Sequence, residues 1–266
     1  MPVSTASRPI SIVRQGSKRQ PFGHGVWTCM KVGPSTAYLQ TYQPGAMTDA
    51  NKTSLTIQTG VPLYSGAVEP FTFAGCVCKG WSAACSPGEM LEVTFDIDAQ
   101  LHQHTTDLAA PSYSAAALFN WTQAPNVKLT GATLAGVRGF SVAVENGLNV
   151  DRLLLDGTGK RARPVESALR SCILELEVEP TDLTKTWDDM VTDTGRVWVV
   201  ELVSTQAIET TYYYTWRLTI PEGHLVGDPI DVGGPDEVLQ TVRIEALDNG
   251  TDPLYKLEVQ STDTAI

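Results

Sequence analysis

A glycine-rich segment is the first part of the sequence whose residue types could do chemistry. Residues 157–160 read Gly-Thr-Gly-Lys, which is similar to the end of a phosphate-binding loop. Such a loop needs an earlier glycine that helps cradle the phosphates, and a Ser or Thr after the lysine that holds magnesium. Leu154 and Arg161 stand at those two positions. We therefore expect no nucleotide site here.

Cysteines and histidines are the next candidates, and both would bind a metal. Cys76, Cys78 and Cys85 could supply three zinc ligands. Their spacing on a strand is explained more simply by small buried residues. His102 and His104 lie in a polar segment without an evident third ligand, so solvated histidines are the simpler interpretation. No nucleophile or metal-binding motif is complete, and we expect no cofactor, no metal and no enzymatic activity.

The most unusual pattern is a set of acidic residues that alternate with apolar ones in two stretches, 91–98 and 171–179. These acids are Glu92, Asp96, Asp98, Glu175, Glu177 and Glu179. A period of two predicts strands with one apolar and one acidic face. Like charges on neighbouring strands destabilise a sheet. Either the two faces are well separated and only keep the protein soluble, or an acidic wall is useful. From charge alone, solubility is the simpler explanation.

Length and composition limit the class of protein. The 266 residues suffice for one large or two small domains with a hydrophobic core. The sequence contains no apolar run long enough to span a membrane, and residues 1–20 lack the apolar core of a signal peptide. Five cysteines without a secretion signal indicate reduced thiols made in a cytoplasm.

Charge is divided unevenly along the chain. The residues before Asp49 carry no acid, whereas the rest of the chain carries 14 basic and 30 acidic residues, a balance of −16. The five basic residues of the N-terminal segment are Arg8, Arg14, Lys18, Arg19 and Lys31. This segment is either an arm that docks onto the acidic surface of another copy or a disordered tail. The acidic remainder argues against a protein that wraps nucleic acid, because phosphate binding needs Lys and Arg.

The order of predicted elements indicates a mainly β fold. Residues 76–98 read as a hairpin whose turn, 86–89, has Pro and Gly at its centre. Residues 181–193 form the one convincing helix, which Gly195 can terminate. Asn249-Gly250 predicts a hairpin between strands 238–247 and 254–260. Many short strands with one helix favour a β-sandwich or barrel. We divide the chain into an N-terminal arm with lead-in strands (1–50) and a β-sandwich domain (51–266).

Five segments resemble, in order, a known family. They are residues 69–76, 139–152, 166–170, 232–236 and 246–251, within a region from about residue 55 to the C-terminus. The chain resembles the major tail tube proteins of long, non-contractile-tailed bacteriophages. The resemblance implies a structural virion protein: a β-sandwich with a flanking helix that forms homohexameric rings. The rings stack around the tape measure protein, and strands from every subunit join into one inner β-barrel through which genomic DNA later passes during ejection.

The resemblance gives the charged residues possible roles. We expect the acids Glu92, Asp96, Asp98, Glu175, Glu177 and Glu179 to face the lumen, where they would let DNA slide without binding. We expect contacts between rings or subunits from Arg8, Arg14, Lys18, Arg19, Lys160, Arg161 and Arg163. The expected partners are other copies of the chain, the tape measure protein and other tail proteins, with no membrane contact. Assembly would take place in the host cytoplasm.

Two other functions remain open from the sequence. Another tail component of the same fold, such as the distal tail or terminator protein, would have a similar sequence pattern. A β-sandwich adhesin or glycan-binding module would need an exposed aromatic platform. Tyr212, Tyr213 and Tyr214 with Trp216 are the only candidates for one, and their alternation favours half-buried strand residues instead.

Overall fold

Most of the chain forms antiparallel strands, because alternating apolar and polar residues let each strand bury one face. The computed structural model describes residues 10–13, 25–34, 36–45, 54–110, 118–123, 126–155, 157, 160–179, 184–227 and 239–263. The strands are β1 (Ile10–Val13), β2 (Gly25–Lys31), β3 (Tyr38–Pro44), β4 (Leu55–Pro62), β5 (Val68–Cys85), β6 (Glu92–Asp98), β7 (Leu101–Gln103), β8 (Asn126–Leu129), β9 (Ala132–Thr133), β10 (Val137–Glu145), β11 (Leu148–Asn149), β12 (Val165–Glu166), β13 (Ser171–Val178), β14 (Arg196–Glu209), β15 (Tyr212–Val226), β16 (Gln240–Ala246) and β17 (Lys256–Ser261). The helix α1 (Thr184–Val191) precedes β14, and a 3-10 turn spans Trp121–Gln123. No helix in these ranges is long and apolar enough to cross a membrane.

The strands form two layers. Sheet one has the order β6-β5-β10-β13-β16, with the end of β15 beside β16. Sheet two has the order β8-β14-β15-β17-β3-β2. Strand β15 belongs to both, because residues 215–220 pair within sheet two whereas residues 223–226 pair with β16.

Aromatic side chains from both sheets meet in the core. Phe140 of sheet one stacks on Trp216 of sheet two with ring centroids 6.0 Å apart. Trp81 of sheet one lies edge-on to Tyr255, at 5.8 Å. The fold is therefore mainly β and sandwich-like, with one short α-helix among the described residues, which confirms the predicted fold class.

The hairpin that contains the first acidic strand is confirmed. Strands β5 and β6 pair in antiparallel register, from Ala84 opposite Glu92 to Val77 opposite Asp98. In the connecting turn, the Glu89 amide donates a hydrogen bond of 3.0 Å to the Ser86 carbonyl. The φ angle of 86° at Gly88 is the conformation that the third residue of a type II turn requires.

The helix is confirmed over Thr184–Val191, while residues 181–183 lie outside the described ranges. Its predicted terminator is wrong. Asp193, with φ 47°, takes the left-handed conformation that ends the helix. Gly195 has a different position: a Cβ there would lie 1.8 Å from Glu222 Oε1, so a larger residue would displace that carboxylate.

The predicted C-terminal hairpin is also wrong. Strand β16 pairs with β13 and β15, whereas β17 pairs with β15 and β3, so the two strands lie in different sheets. The turn itself forms, since Gly250 has φ 74° and its amide donates to Asp248. A local turn signal does not state which sheet the next strand joins, and here the turn carries the chain across the sandwich.

The sandwich extends into the first 50 residues. Strands β2 and β3 form the edge of sheet two, and Tyr42 of β3 is a buried core residue. The lead-in strands are thus continuous with the sandwich. The basic residues of the predicted arm, Arg8, Arg14, Lys18 and Arg19, lie outside the described residues.

Candidate functional site

The two acidic strands lie in the same sheet and point their acids the same way. In β13, Leu174, Leu176 and Val178 are buried in the core, so the alternating glutamates point outward. Strand β6 has the same orientation, with half-buried Val93 and Phe95 packed against the core. The outer side of sheet one, which we call the acidic face, carries Glu92, Asp96, Glu145, Glu175, Glu177 and Glu245.

A strip of small residues separates the two acidic strands. Strands β5 and β10 lie between β6 and β13 and present Gly80, Ser82, Ala84, Ser141 and Ala143 outward. Three strand spacings place the acids of β6 and β13 about 14 Å apart. That distance exceeds the screening length of about 8 Å at physiological salt, so repulsion between the acids of β6 and those of β13 in one subunit is weak.

The charges of the acidic face are only partly neutralised. Arg243 donates to Glu175 and Glu245, at 3.2 Å each. Lys79 lies 3.1 Å from Asp96, and this ion pair raises the pKa of Lys79. Glu92 and Glu177 are therefore the uncompensated acids of the face, since no ion pair within the described part of the chain involves them, whereas the charge of Glu145 acts on Lys79. Neither Glu145 nor Glu245 is among the acids that the sequence pattern singled out, because each stands alone in its strand.

The other two acids of the predicted set, Asp98 and Glu179, form ion pairs at the ends of their strands. Glu179 accepts a hydrogen bond of 2.7 Å from Arg138. Asp98 accepts two from Arg161, at 2.9 and 3.1 Å. The remaining four predicted acids lie together on the acidic face.

On the outer side of sheet two, acidic side chains are paired with basic ones. Glu201 and Glu258 are both nearly buried, and each contacts Arg217 across the strand register. Lys128 lies 3.2 Å from Glu201, and Lys256 lies 2.9 Å from Glu258. Burial alone would raise the pKa of Glu201, but hydrogen bonds from Arg217 and Lys128 outweigh it and lower that pKa. Glu201 and Glu258 are thus both matched with bases, unlike Glu92 and Glu177 of sheet one.

The three basic residues of the segment 160–163, which we expected to contact other subunits, differ in their surroundings. Arg161 is held within its own chain by Asp98 and, at 3.4 Å, by Asp151. Lys160 and Arg163 are exposed. A charge-reversing change at Arg161 would therefore break an internal ion pair as well as any contact with another subunit.

Sequence reasoning missed an ionic cluster around His224. Its Nδ1 lies 2.7 Å from Asp193 Oδ1, and its Nε2 lies 3.3 Å from Glu222 Oε1. The hydrogen bond with Asp193, supported by Glu222, raises the pKa of His224 above its usual value. Asp193 follows the end of α1, whereas Glu222 and His224 lie in β15. No local spacing in the sequence therefore predicts the cluster.

His224 should make folding stability depend on pH. A histidine with a raised folded pKa stabilises fully below its unfolded pKa of about 6.5, and the effect is lost as pH rises through the folded pKa. We expect His224→Gln to cost up to about 1 kcal/mol at pH 5.5, because Asp193 is largely exposed. At pH 8.5 the cost should be near zero. Urea unfolding of both proteins at the two pH values measures this, and an equal cost at both would contradict it.

The cysteines and histidines that could have bound a metal have ordinary structural surroundings. Cys76 and Cys78 are buried, and their thiols donate to the backbone carbonyls of Phe73 and Gly80. Burial raises the pKa of Cys78 to about 12, which disfavours the thiolate that zinc requires. His102 and His104 are exposed. Within the described ranges, no three His, Cys, Asp or Glu side chains come together as a metal site.

The aromatic platform of a glycan-binding module is not formed by the tyrosines and tryptophan of β15. Trp216 is buried against Phe140. Tyr212 and Tyr214 are half-buried, and Tyr213 is more exposed. Side chains of this strand therefore alternate between more buried and more exposed positions, as the sequence predicts.

Comparisons with known proteins agree with the architecture. Residues 3–246 match the family described as phage tail tube protein. A comparison with curated proteins finds no match. The matched region covers both sheets up to the end of β16, and with it the whole acidic face. The chain therefore belongs to the phage tail tube protein family and is a structural component of the virion tail.

Proposed function

We propose that this chain assembles into hexameric rings that stack into the tail tube, with the acidic face lining the conduit for the genome. The single observation that carries this is the acidic face itself. Its acids come from strands far apart in the sequence, yet they share one exposed surface of one sheet. Membership of the tail tube family supports assembly into a tube, and the acidic face indicates which surface of the subunit would line the lumen.

The strip of small residues supports the same orientation. The two middle strands of the acidic face carry the small residues Gly80, Ala84 and Ala143, and Glu145 is the acid that they present outward. At Gly80 a Cβ would lie 2.6 Å from the Val144 carbonyl oxygen, so a larger residue does not fit there. A smooth wall with acids on both sides suits a surface along which a polyanion must slide.

Electrostatics explains why such a wall would be useful. Double-stranded DNA binds surfaces rich in Lys and Arg because each contacted phosphate releases counterions. An acidic wall avoids such contacts and keeps the duplex centred. Screening limits the repulsion to about 8 Å, so the acids must lie on the wall itself.

The edge of sheet one that β6 forms supports closure into a barrel. Among the strands that the structure describes, β6 pairs only with β5. Its Val93 and Phe95 are only half-buried, although they pack against the core. An exposed seven-residue edge strand invites pairing with another chain. We infer that β6 joins sheet one of the neighbouring subunit, which removes the edge by closure.

The remaining partners follow from this assembly. The tape measure protein would occupy the lumen before the genome does, and other tail proteins would cap the tube. The basic residues Lys160 and Arg163, together with the N-terminal segment, would contact neighbouring subunits. Assembly would take place in the host cytoplasm, no cofactor would be needed, and no catalytic step is involved.

Electron microscopy of the purified protein tests the proposal. We expect negative-stain images of concentrated protein to show rings or tubes with a central channel. A chain that stays monomeric, even when mixed with its tape measure protein, would contradict it. Copy number in the virion separates the tube from a distal or terminator protein of the same fold, since a tube subunit must be among the most abundant proteins of the particle.

A further inference from the structure

Two exposed apolar patches lie at opposite ends of sheet one. The first, which we call the turn patch, consists of Met90, Leu118 and Trp121, beside the turn between β5 and β6. The second, which we call the leucine loop, consists of Leu153, Leu154 and Leu155, in the connection from β10 to β13. Strand β10 begins beside the turn end and runs antiparallel to β5. The connection that leaves β10 therefore lies at the other end of the sheet.

Backbone hydrogen bonds hold the turn patch in place. The Leu91 amide donates to the Phe119 carbonyl at 2.9 Å, and the Trp121 amide donates to the Glu89 carbonyl at 3.1 Å. A β-bridge also joins Met90 to Asn120. Two separate segments are thus tied together, and their apolar side chains remain exposed to solvent although the backbone is ordered.

The leucine loop is also anchored. A β-bridge joins Leu153 to Arg161, and the Ala162 amide donates to the Arg152 carbonyl at 2.7 Å. Arg161 is clamped by Asp98, and its carbonyl accepts a hydrogen bond of 2.6 Å from Gln100. The base of the loop is fixed to the end of β6, while the three leucines point outward.

Charge distinguishes the two ends. Residues 86–92, around the turn patch, carry two acids and no base. Residues 147–170, around the leucine loop, carry five basic and three acidic residues. Each patch is therefore apolar at its centre, and the two surroundings have opposite net charge. Contiguous exposed apolar groups with a charged rim are typical of protein interaction sites.

We propose that the leucine loop of one subunit docks onto the turn patch of a second copy in the next ring. The inference rests on the proposed function, because it assigns the contact that joins successive rings. Repeated stacking needs a head-to-tail contact between two different surfaces, one at each end of the subunit. The two patches meet that requirement in position, apolarity and charge. A contact between two identical patches would place like charges together and could not repeat.

Two variants test the pairing. The loop variant carries Leu154→Glu and Leu155→Glu, and the patch variant carries Met90→Glu and Leu118→Glu. All four side chains are exposed, so both variants should fold, and an unchanged thermal unfolding midpoint verifies this. Each variant alone should form rings but no tubes. An equal mixture should form double rings that do not grow, because the intact patch of one variant accepts the intact loop of the other.

Sedimentation velocity and negative-stain microscopy distinguish single rings, double rings and tubes. Val191→Glu provides the control, since it also places a glutamate at an exposed apolar position, on α1, and should leave tube length unchanged. Normal tubes from either variant, or a mixture without double rings, would overturn the pairing. Wild-type protein that forms neither rings nor tubes would instead refute the proposed function, and the pairing with it.

Discussion

Tubes in which Glu92, Glu175 and Glu177 are all replaced by lysine are expected to bind duplex DNA that wild-type tubes exclude. The three acids lie on the acidic face, and no ion pair in the described residues neutralises Glu92 or Glu177. Each subunit would change by six charge units at the wall, from repulsion to attraction of phosphate. In the proposed conduit, the variant tube should trap the genome instead of releasing it.

Salt dependence gives this prediction its magnitude. A site that contacts six to ten phosphates loses roughly 10³–10⁵ in affinity between 50 and 200 mM salt. We expect the lysine variant to show this steep dependence, and wild-type tubes to show no measurable binding at either concentration. Co-sedimentation of short labelled duplexes with tubes measures both.

A second triple variant separates the position of the charges from their number. Lysines at the exposed acids Asp107, Asp188 and Asp263 change the net charge equally but lie off the acidic face. This control should bind no more DNA inside the tube than wild type. Equal DNA retention by both variants, or none by the lysine-lined one, would show that the acidic face is not the lumen wall.

Trp198→Ala is expected to destabilise the subunit by about 3–5 kcal/mol, since large aromatic side chains leave large cavities when removed from a core. Trp198 is fully buried in β14, opposite Ile220 of β15 and Leu129 of β8. Its indole nitrogen lies 3.4 Å from the Gly223 carbonyl. Domains are stable by only about 5–15 kcal/mol, so this change removes a large share of the total.

The neighbouring Val197→Ala provides a matched control. Val197 adjoins Trp198 in the same strand but is 39% exposed, so its truncation should cost less than about 1 kcal/mol. Urea unfolding at concentrations where the subunit does not polymerise compares the two variants with wild type. If the two truncations cost the same, the sandwich core does not centre on Trp198.

The acidic face and the sandwich core depend on each other. Each acid of β13 alternates with a buried residue such as Leu174 or Leu176, so the same strand supplies both the wall and the core. Repulsion along the wall is tolerated because apolar burial on the other side of the sheet exceeds it. Strands β5 and β10 separate β6 from β13, and their outward residues are mostly small and uncharged, which lowers that repulsion further.

The sequence by itself determined the local features. Alternation fixed which side of β6 and β13 would be acidic, because side chains of a strand point to opposite faces in turn. Pro87 and Gly88 fixed the turn between β5 and β6, since their backbone preferences match a type II turn. The ordered segments of the family also lie in the sequence, and they sufficed to name the tail tube family before any contact was known.

Only the tertiary structure decided which strands lie side by side. Local alternation contains no information about pairing partners, so the sequence left open whether the two acidic strands share a face. The same limit explains why the Asn249-Gly250 turn predicted a hairpin where the chain crosses between sheets. Long-range ion pairs, such as Arg161 with Asp98 and His224 with Asp193, could not be predicted from the sequence either. They join residues far apart in the chain, and only the folded backbone brings these residues within hydrogen-bonding distance.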